Sequence, residues 1–179
     1  MMKSQINNET LENIYTRTST KKYIIDKMPS DEEIDAVIKA GVSSATGKNA
    51  QSPIILRITN KEVRDNLSKI NANIMGADID PFYGAPVVLV VLAKKDVPTH
   101  IYDGSIVMAN MMIAAKSLNL GACWVHRAKQ EFETEYGKNL LKSLGIEDEY
   151  EGIGNLILGY PLVKSDTKKR KDNWVYVIK

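Results

Sequence analysis

Helix and strand signals that alternate along 179 residues predict one domain, residues 1–179, of the α/β or α+β class on a single sheet. Three observations carry this. Apolar residues recur at helical spacing in several stretches, and shorter apolar runs stand between them. The longest run, Ala85 to Ala93, is mostly Val and Leu and suits a strand covered on both faces. No internal repeat, low-complexity tract or linker-like stretch interrupts the series.

In chain order, Thr10 to Tyr15 reads as a short helix. Ser30-Asp31-Glu32-Glu33 is a capping box that opens a helix through about Gly41, with Ile34, Val37 and Ile38 on its apolar face. Pro53 to Thr59 is a strand, Lys61 to about Ala72 a helix and Pro86 to Ala93 a strand. The longest helix is expected from about Asp103 to Leu118. There Ile106, Ala109, Asn110, Ile113 and Ser117 recur at helical spacing, and Ala109, Ala114 and Ala115 let a neighbouring backbone come close. Asn119 and Gly121 stop it, Ala122 to Val125 returns as a strand, and Glu131 to Leu144 supplies one or two helices before Gly145. Ile153 to Tyr160 is a further strand, stopped by Pro161. Trp174 to Ile178 is a strand pattern after a charged loop, expected to pair at a distance.

Composition narrows the function classes. Hydrophobic residues make up 44% and charged residues 26%, which are globular proportions. The longest apolar run falls far short of the roughly 20 residues of a membrane span. Met1 to Asn8 has no apolar centre, so neither a secretory signal nor a transit peptide is expected, and the cytoplasm is the expected compartment. One cysteine, Cys123, and two histidines, His100 and His126, show no zinc-ligand spacing. A net charge of +2, with only Lys168 to Lys171 as a basic run, is too little for a nucleic-acid footprint; one small anionic ligand fits better.

Four segments carry chemistry-bearing residues. Arg17-Thr18-Ser19-Thr20-Lys21 has two cations and three hydroxyls, and an extended backbone puts Arg17, Ser19 and Lys21 on one side, where they could grip an anion. A solvated basic loop has the same composition. Ser43 to Gln51 combines small residues, Gly47 among them, with hydroxyls and amides that could approach a ligand; a polar turn between helix and strand looks much the same. In Asn119 to Arg127, Cys123 reads better as a small buried thiol than as a nucleophile, and His126 as a partly buried histidine before an acid or base. After Gly159-Tyr160-Pro161, the run Lys168-Lys169-Arg170-Lys171 is either a surface patch or a phosphate grip.

Taken in order, these segments resemble the nitroreductase family over nearly the whole chain. The resemblance rests on Arg17-Thr-Ser-Thr-Lys21, Ala45-Thr-Gly-Lys-Asn49-Ala-Gln51, Ala85-Pro86-Val-Val, Asp103-Gly with Asn110, Leu120-Gly-Ala-Cys-Trp124, Gly159-Tyr-Pro161 and Lys168-Lys-Arg170. It implies an α+β fold with a central mixed or antiparallel sheet flanked by helices, the C-terminal strand exchanged to the partner subunit, and a homodimer holding FMN between subunits. By the same resemblance, Arg17, Thr18 and Ser19 would bind the phosphate and ribityl end, and Lys21 would face the pyrimidine edge as an electrostatic stabiliser. Ala45, Thr46, Gly47 and Asn49 would reach the flavin from the other subunit, and Lys168 and Arg170 would complete the phosphate site. His126 and Arg127 match the place where backbone N–H groups meet flavin N5.

The implied activity is ping-pong hydride transfer from NADH or NADPH through the flavin to a small acceptor such as a nitroaromatic or quinone, with no indispensable acid or base. A non-enzymatic flavin-binding sensor or carrier is the alternative. Neither membrane nor nucleic acid is an expected partner. The sequence departs from the family at Ala45, often Pro, and at Ser52-Pro53, often Pro-Trp. It is also short, with about ten residues between Ala72 and Phe82 where longer relatives carry helices over the flavin.

Overall fold

The computed structural model describes residues 6–163 and 165–178. Helix α1 (Glu9–Thr16) starts at Asn8, whose side-chain oxygen accepts the Leu11 N–H. Helix α2 (Asp31–Val42) starts at the expected capping box: the Glu33 N–H donates to Ser30 Oγ at 3.1 Å and the Ser30 N–H to the Glu33 carboxylate at 2.8 Å. There follow β1 (Pro53–Ile58), α3 (Lys61–Met75), β2 (Val87–Lys94), α4 (His100–Ser117), β3 (Gly121–Val125), α5 (Ala128–Glu133), α6 (Glu135–Ser143) and β4 (Tyr150–Gly159).

The four strands form one sheet in the order β1-β2-β4-β3, with every neighbouring pair antiparallel, so of the two expected patterns the antiparallel one is realised. Its centre is the β2–β4 pair. Every residue from Val87 to Ala93 is fully buried, because helices cover both faces. On one face Leu56, Val88, Val90 and Ile157 meet Leu67 of α3, Phe82, and Phe132 of α5. On the other, Leu89, Val91 and Leu156 meet Ile34 and Val37 of α2 and Met108, Met111 and Ala115 of α4.

Helix α4 and the C-terminal tail add detail to what the sequence predicts. The stripe Ile106, Ala109, Asn110, Ile113 and Ser117 is not the face of α4 that meets the sheet. That face is Gly104, Val107, Met108, Met111 and Ala115, and Ile106 stays 42% exposed. The periodicity could not choose between them because α4 is apolar nearly all round. Among the described residues Trp174 to Ile178 forms no strand; its side chains are exposed, Tyr176 by 85% and Ile178 by 98%. A strand needs a second backbone to satisfy its N–H and C=O groups, and no described segment pairs with the tail, which leaves the expected exchange to a partner subunit untouched.

Helix α5 sits unusually close to β4. A Cβ on Gly152 would come within 2.3 Å of the Ala128 carbonyl group, so only glycine lets the backbones meet. This contact fixes where the chain leaves β3. Gly152→Ala is therefore expected to cost at least about 2 kcal/mol of stability by overpacking, measured as a shift in the urea midpoint at unchanged slope.

Candidate functional site

Strand β3 is an edge strand, and the stretch after α1 lies along its open side. Ser19 bridges Ala122 in parallel, and the Thr20 N–H donates to the Ala122 carbonyl at 3.0 Å. Thr20 is buried against Gly121, where a Cβ would come within 2.7 Å of it. The buried Tyr23 hydroxyl donates to the Thr20 carbonyl at 2.9 Å. With Thr20 and Tyr23 turned inward, Ser19 and Lys21 are left on the exposed side, as strand alternation requires. Arg17, Ser19 and Lys21 all act on one atom: burial pushes the Cys123 thiol up, while a hydrogen bond with Ser19 and the charges of Lys21 and Arg17 oppose that rise. Cys123 itself is a buried thiol, 5% exposed.

The loop between α3 and β2 reaches the same place. Asp80 organises it by accepting from Arg64 Nη2 (2.6 Å), Ser68 Oγ, the Phe82 N–H (2.9 Å) and the Gly84 N–H (2.6 Å). Burial would raise the Asp80 carboxyl, but these donors and the Arg64 charge outweigh it and hold the carboxyl low. The loop delivers Tyr83, held at φ 51°, to a ring position 5.6 Å from Lys21 Nζ.

Beyond the other end of β3, Arg127 is left-handed at φ 82° and caps α5. The preceding His126 carbonyl accepts from Asn71 Nδ2 at 2.7 Å, and His126 itself is exposed. Asn71 also donates to Glu131, which accepts from Asn155 Nδ2 with both oxygens, at 3.0 and 2.9 Å. Burial pushes the Glu131 carboxyl up to about 7, against the Asn71 and Asn155 hydrogen bonds and the Arg127 charge.

The turn at Ala45 to Gln51 lies elsewhere. The Gly47 N–H donates to buried Asp103 at 3.0 Å, and Asn110 Nδ2 donates to Ser44 Oγ at 2.9 Å. Asp103 stands in the first turn of α4 and Asn110 just past its middle, while Arg17 to Lys21 docks beyond its last residue. A rise of 1.5 Å per residue separates Gly47 from that stretch by about 20 Å along the helix axis. Lys48, Asn49 and Gln51 all have left-handed φ, from 49° to 56°, an uncommon run for non-glycine residues. Beside the turn is an open cavity of about 190 Å³ lined by Val42, Ser44, Thr46, Gln51, Ile55 and Val107. A larger groove of about 470 Å³, at Lys94 to Asp96 and Asp148–Glu149, contains none of the candidate residues and pairs its own charges, Lys94 with Asp148 at 2.5 Å and Lys95 with Glu149 at 3.8 Å.

The chain thus gathers Arg17, Ser19, Lys21 and Tyr83 along β3, with His126 and Arg127 at its end. It keeps Ala45, Thr46, Gly47 and Asn49 at the far end of α4. Lys168 and Arg170 are exposed, in a tail that departs beside the first group: the Leu162 N–H donates to the Lys22 carbonyl at 2.9 Å, and Tyr23 bridges Pro161.

Residues 73–160 match the family model described as the Nitroreductase family. That segment, just under half of the chain, is similar to the nitroreductase family. A protein of Archaeoglobus fulgidus, named provisionally as an NADH dehydrogenase/NAD(P)H nitroreductase, is 27% identical over 93% of this chain and 93% of its own. The FMN reductase (NADPH) of Bacillus subtilis is 22% identical, over 91% of this chain and 70% of its own. A nitroreductase of Desulfitobacterium hafniense, solved with bound FMN, superposes with a TM-score of 0.87 at 22% identity, covering 97% of this chain and 100% of that one. One from Bacteroides fragilis, also with bound FMN, gives 0.85 at 21% identity with the same coverage. At these identities the superpositions establish the nitroreductase fold.

Sequence reasoning did not single out Asn71, Tyr83, Glu131 or Asn155. Asn71 and Glu131 lie on helices at positions whose neighbours are ordinary, and Asn155 sits inside a strand; a polar residue in the apolar stretch Ile153 to Leu158 was the one available signal. Among the described residues no cluster of His, Cys, Asp and Glu could hold a metal ion, and no helix is long and apolar enough to cross a membrane.

The raised Glu131 carboxyl has a thermodynamic signature. The folded protein keeps a proton that the unfolded chain, with an ordinary value of 4.5, releases, so stability falls as pH rises from about 4.5 to about 7. The loss approaches about 3 kcal/mol at roughly 1.4 kcal/mol per unit. Urea denaturation at pH 5 and pH 8 should show this fall in the native protein and not in Glu131→Gln; equal falls in both would remove Glu131 as its source.

Proposed function

We propose that this protein is an FMN-dependent oxidoreductase working as a homodimer on small molecules. The observation that carries this reading is the convergence of Arg17, Ser19 and Lys21 on the exposed side of β3, next to Tyr83 and ahead of the left-handed turn at Arg127. Such a donor set fits a flavin mononucleotide. A guanidinium and hydroxyls suit a phosphate and a ribityl chain, and an ammonium suits the electron-rich edge of the ring. The FMN in the nitroreductases of Desulfitobacterium hafniense and Bacteroides fragilis, and the name of the Bacillus subtilis relative, support the same assignment.

In this reading Arg17, Thr18 and Ser19 hold the phosphate and ribityl end, with Lys168 and Arg170 from the tail. The partner subunit's Ala45, Thr46, Gly47 and Asn49 close the site, because within one chain that turn is too far away. Support for the partner comes from the outer face of α4, where Ile101 (48% exposed), Tyr102 (71%) and Ile106 face solvent in the single chain. The exposed apolar tail gives further support.

The chemistry bound FMN supplies is acceptance of hydride from NADH or NADPH and its return, in a ping-pong cycle, to an acceptor such as a nitroaromatic or quinone. Lys21 holds a fixed positive charge where negative charge accumulates, and the peptide between His126 and Arg127 offers a backbone N–H. Exposed His126 acts through its position and not through its imidazole.

Purified protein should be yellow or turn yellow with added FMN, bleach on anaerobic addition of NADH or NADPH, and regain colour with a quinone. Protein that takes up no FMN overturns the reading, and bleaching without acceptor-driven return identifies a carrier. In FMN-saturated protein, Lys21→Ala should slow reduction roughly tenfold or more; an unchanged rate removes its assigned role. Tyr102→Asp with Ile106→Asp, or deletion of residues 174–179, should yield monomers that release FMN, seen by sedimentation and fluorescence.

A further inference from the structure

Hydrogen bonds run unbroken from the middle of the sheet to the turn at Arg127. Asn155, fully buried and paired with Val125 of β3, donates to both oxygens of Glu131. Glu131, fully buried on α5, also accepts from Asn71 of α3, and Asn71 donates to the His126 carbonyl. A side-chain amide nitrogen carries two hydrogens, so both of those on Asn71 are committed, one to the carboxylate and one to the loop. The two amide oxygens, Asn71 Oδ1 and Asn155 Oδ1, are buried without partners among the described residues. Core packing does not account for such a cluster, since apolar side chains of similar size would fill the space without the penalty of burying polar groups.

The geometry of a peptide plane says what the cluster does. The C=O and N–H of one trans peptide point in opposite directions. With the His126 oxygen drawn into the core by Asn71, the Arg127 N–H of the same plane is turned out of it. Arg127 sits in the left-handed region, which side-chain-bearing residues rarely occupy, so this orientation has to be held by its surroundings. Asn71 is its holder. Asn71 is in turn fixed through Glu131 and Asn155 to β4, a strand hydrogen-bonded to a neighbour on both sides.

We propose that Asn71, braced by Glu131 and Asn155, is a positioning residue that orients the His126–Arg127 peptide so that the Arg127 N–H donates into the flavin site. The assignment rests on the oxidoreductase reading above for the identity of the acceptor, but the orientation itself can be read without any ligand.

The test compares the native protein with Asn71→Ala and Glu131→Gln; the glutamine keeps an oxygen for Asn71 and adds donors for the orphaned amide oxygens. In protein without added flavin, hydrogen–deuterium exchange of a peptide spanning residues 124–130 should rise about tenfold in Asn71→Ala while β2 and β4 keep their protection. In FMN-saturated protein, Asn71→Ala should lower the rate of reduction by NADH or NADPH about tenfold while the FMN Kd changes less than about threefold. Glu131→Gln should restore all three readouts to within about twofold of native.

Native-like exchange at 124–130 in Asn71→Ala overturns the proposal. So does a parallel loss of flavin affinity, reduction rate and protection throughout the sheet, the mark of a residue that only stabilises. If Asn71→Ala does not fold, Asn71→Ser, which has one donor and cannot serve both acceptors, is read by the same criteria. Should the native protein bind no FMN, the oxidoreductase reading fails and the exchange measurement alone decides the brace.

Discussion

The pairing of the Arg17–Lys21 stretch with the edge of β3 is the constraint from which the rest of the candidate site follows. One backbone hydrogen bond, Thr20 to Ala122, and the close fit of Thr20 on Gly121 set the register. Because strand side chains alternate, that register decides that Thr20 is buried and that Ser19 and Lys21 face outward. A slip by one residue would turn the hydroxyl and the ammonium into the core and Thr20 to solvent. The charge of Lys21, the ring of Tyr83 and the thiol of Cys123 are neighbours only in this register.

The two faces of the sheet are treated differently. The layer under α2 and α4 is largely apolar, and Val87, Leu89 and Val91 lie there among aliphatic and thioether side chains with Trp124 and Tyr160 packed against them. The layer under α3 and α5 contains a carboxyl group and two amides, all fully buried, beside Leu67 and Phe132. Apart from Asp103 of α4, the buried carboxyl and amide side chains among the described residues gather on one side, the side from which the chain leaves β3 toward Arg127. Polar groups placed there are costly and directional, whereas apolar packing is non-directional. The sheet supplies rigidity, and the polar cluster passes that rigidity to a loop.

Helix α4 joins the sheet to the turn at Gly47. Its inner face packs on β2 and β4, Asp103 in its first turn holds Gly47, Asn110 past its middle donates to Ser44, and its outer face presents Tyr102 and Ile106. A helix apolar around its whole circumference is ordinarily covered on every side. In this chain Ile101, Tyr102 and Ile106 stay exposed.

Much of this was legible in the sequence. Every helix and strand from α1 to β4 was anticipated with ends that moved by a few residues, because capping signals, apolar periods and β-branched runs are local properties. The outward placement of Ser19 and Lys21 was legible as well, since alternation alone puts them on the same side. What tertiary structure decided were relations between distant residues. It determined which of two apolar faces of α4 meets the sheet, that Ala45–Gln51 and Arg17–Lys21 lie far apart in one chain, that Trp174 to Ile178 has no strand partner in this chain, and that Asn71, Glu131 and Asn155 meet. Those depend on contacts across 24 to 60 positions of sequence, as between Asn155, Asn71 and Glu131. No local pattern encodes a hydrogen bond whose two ends are brought together only by packing a helix on a sheet.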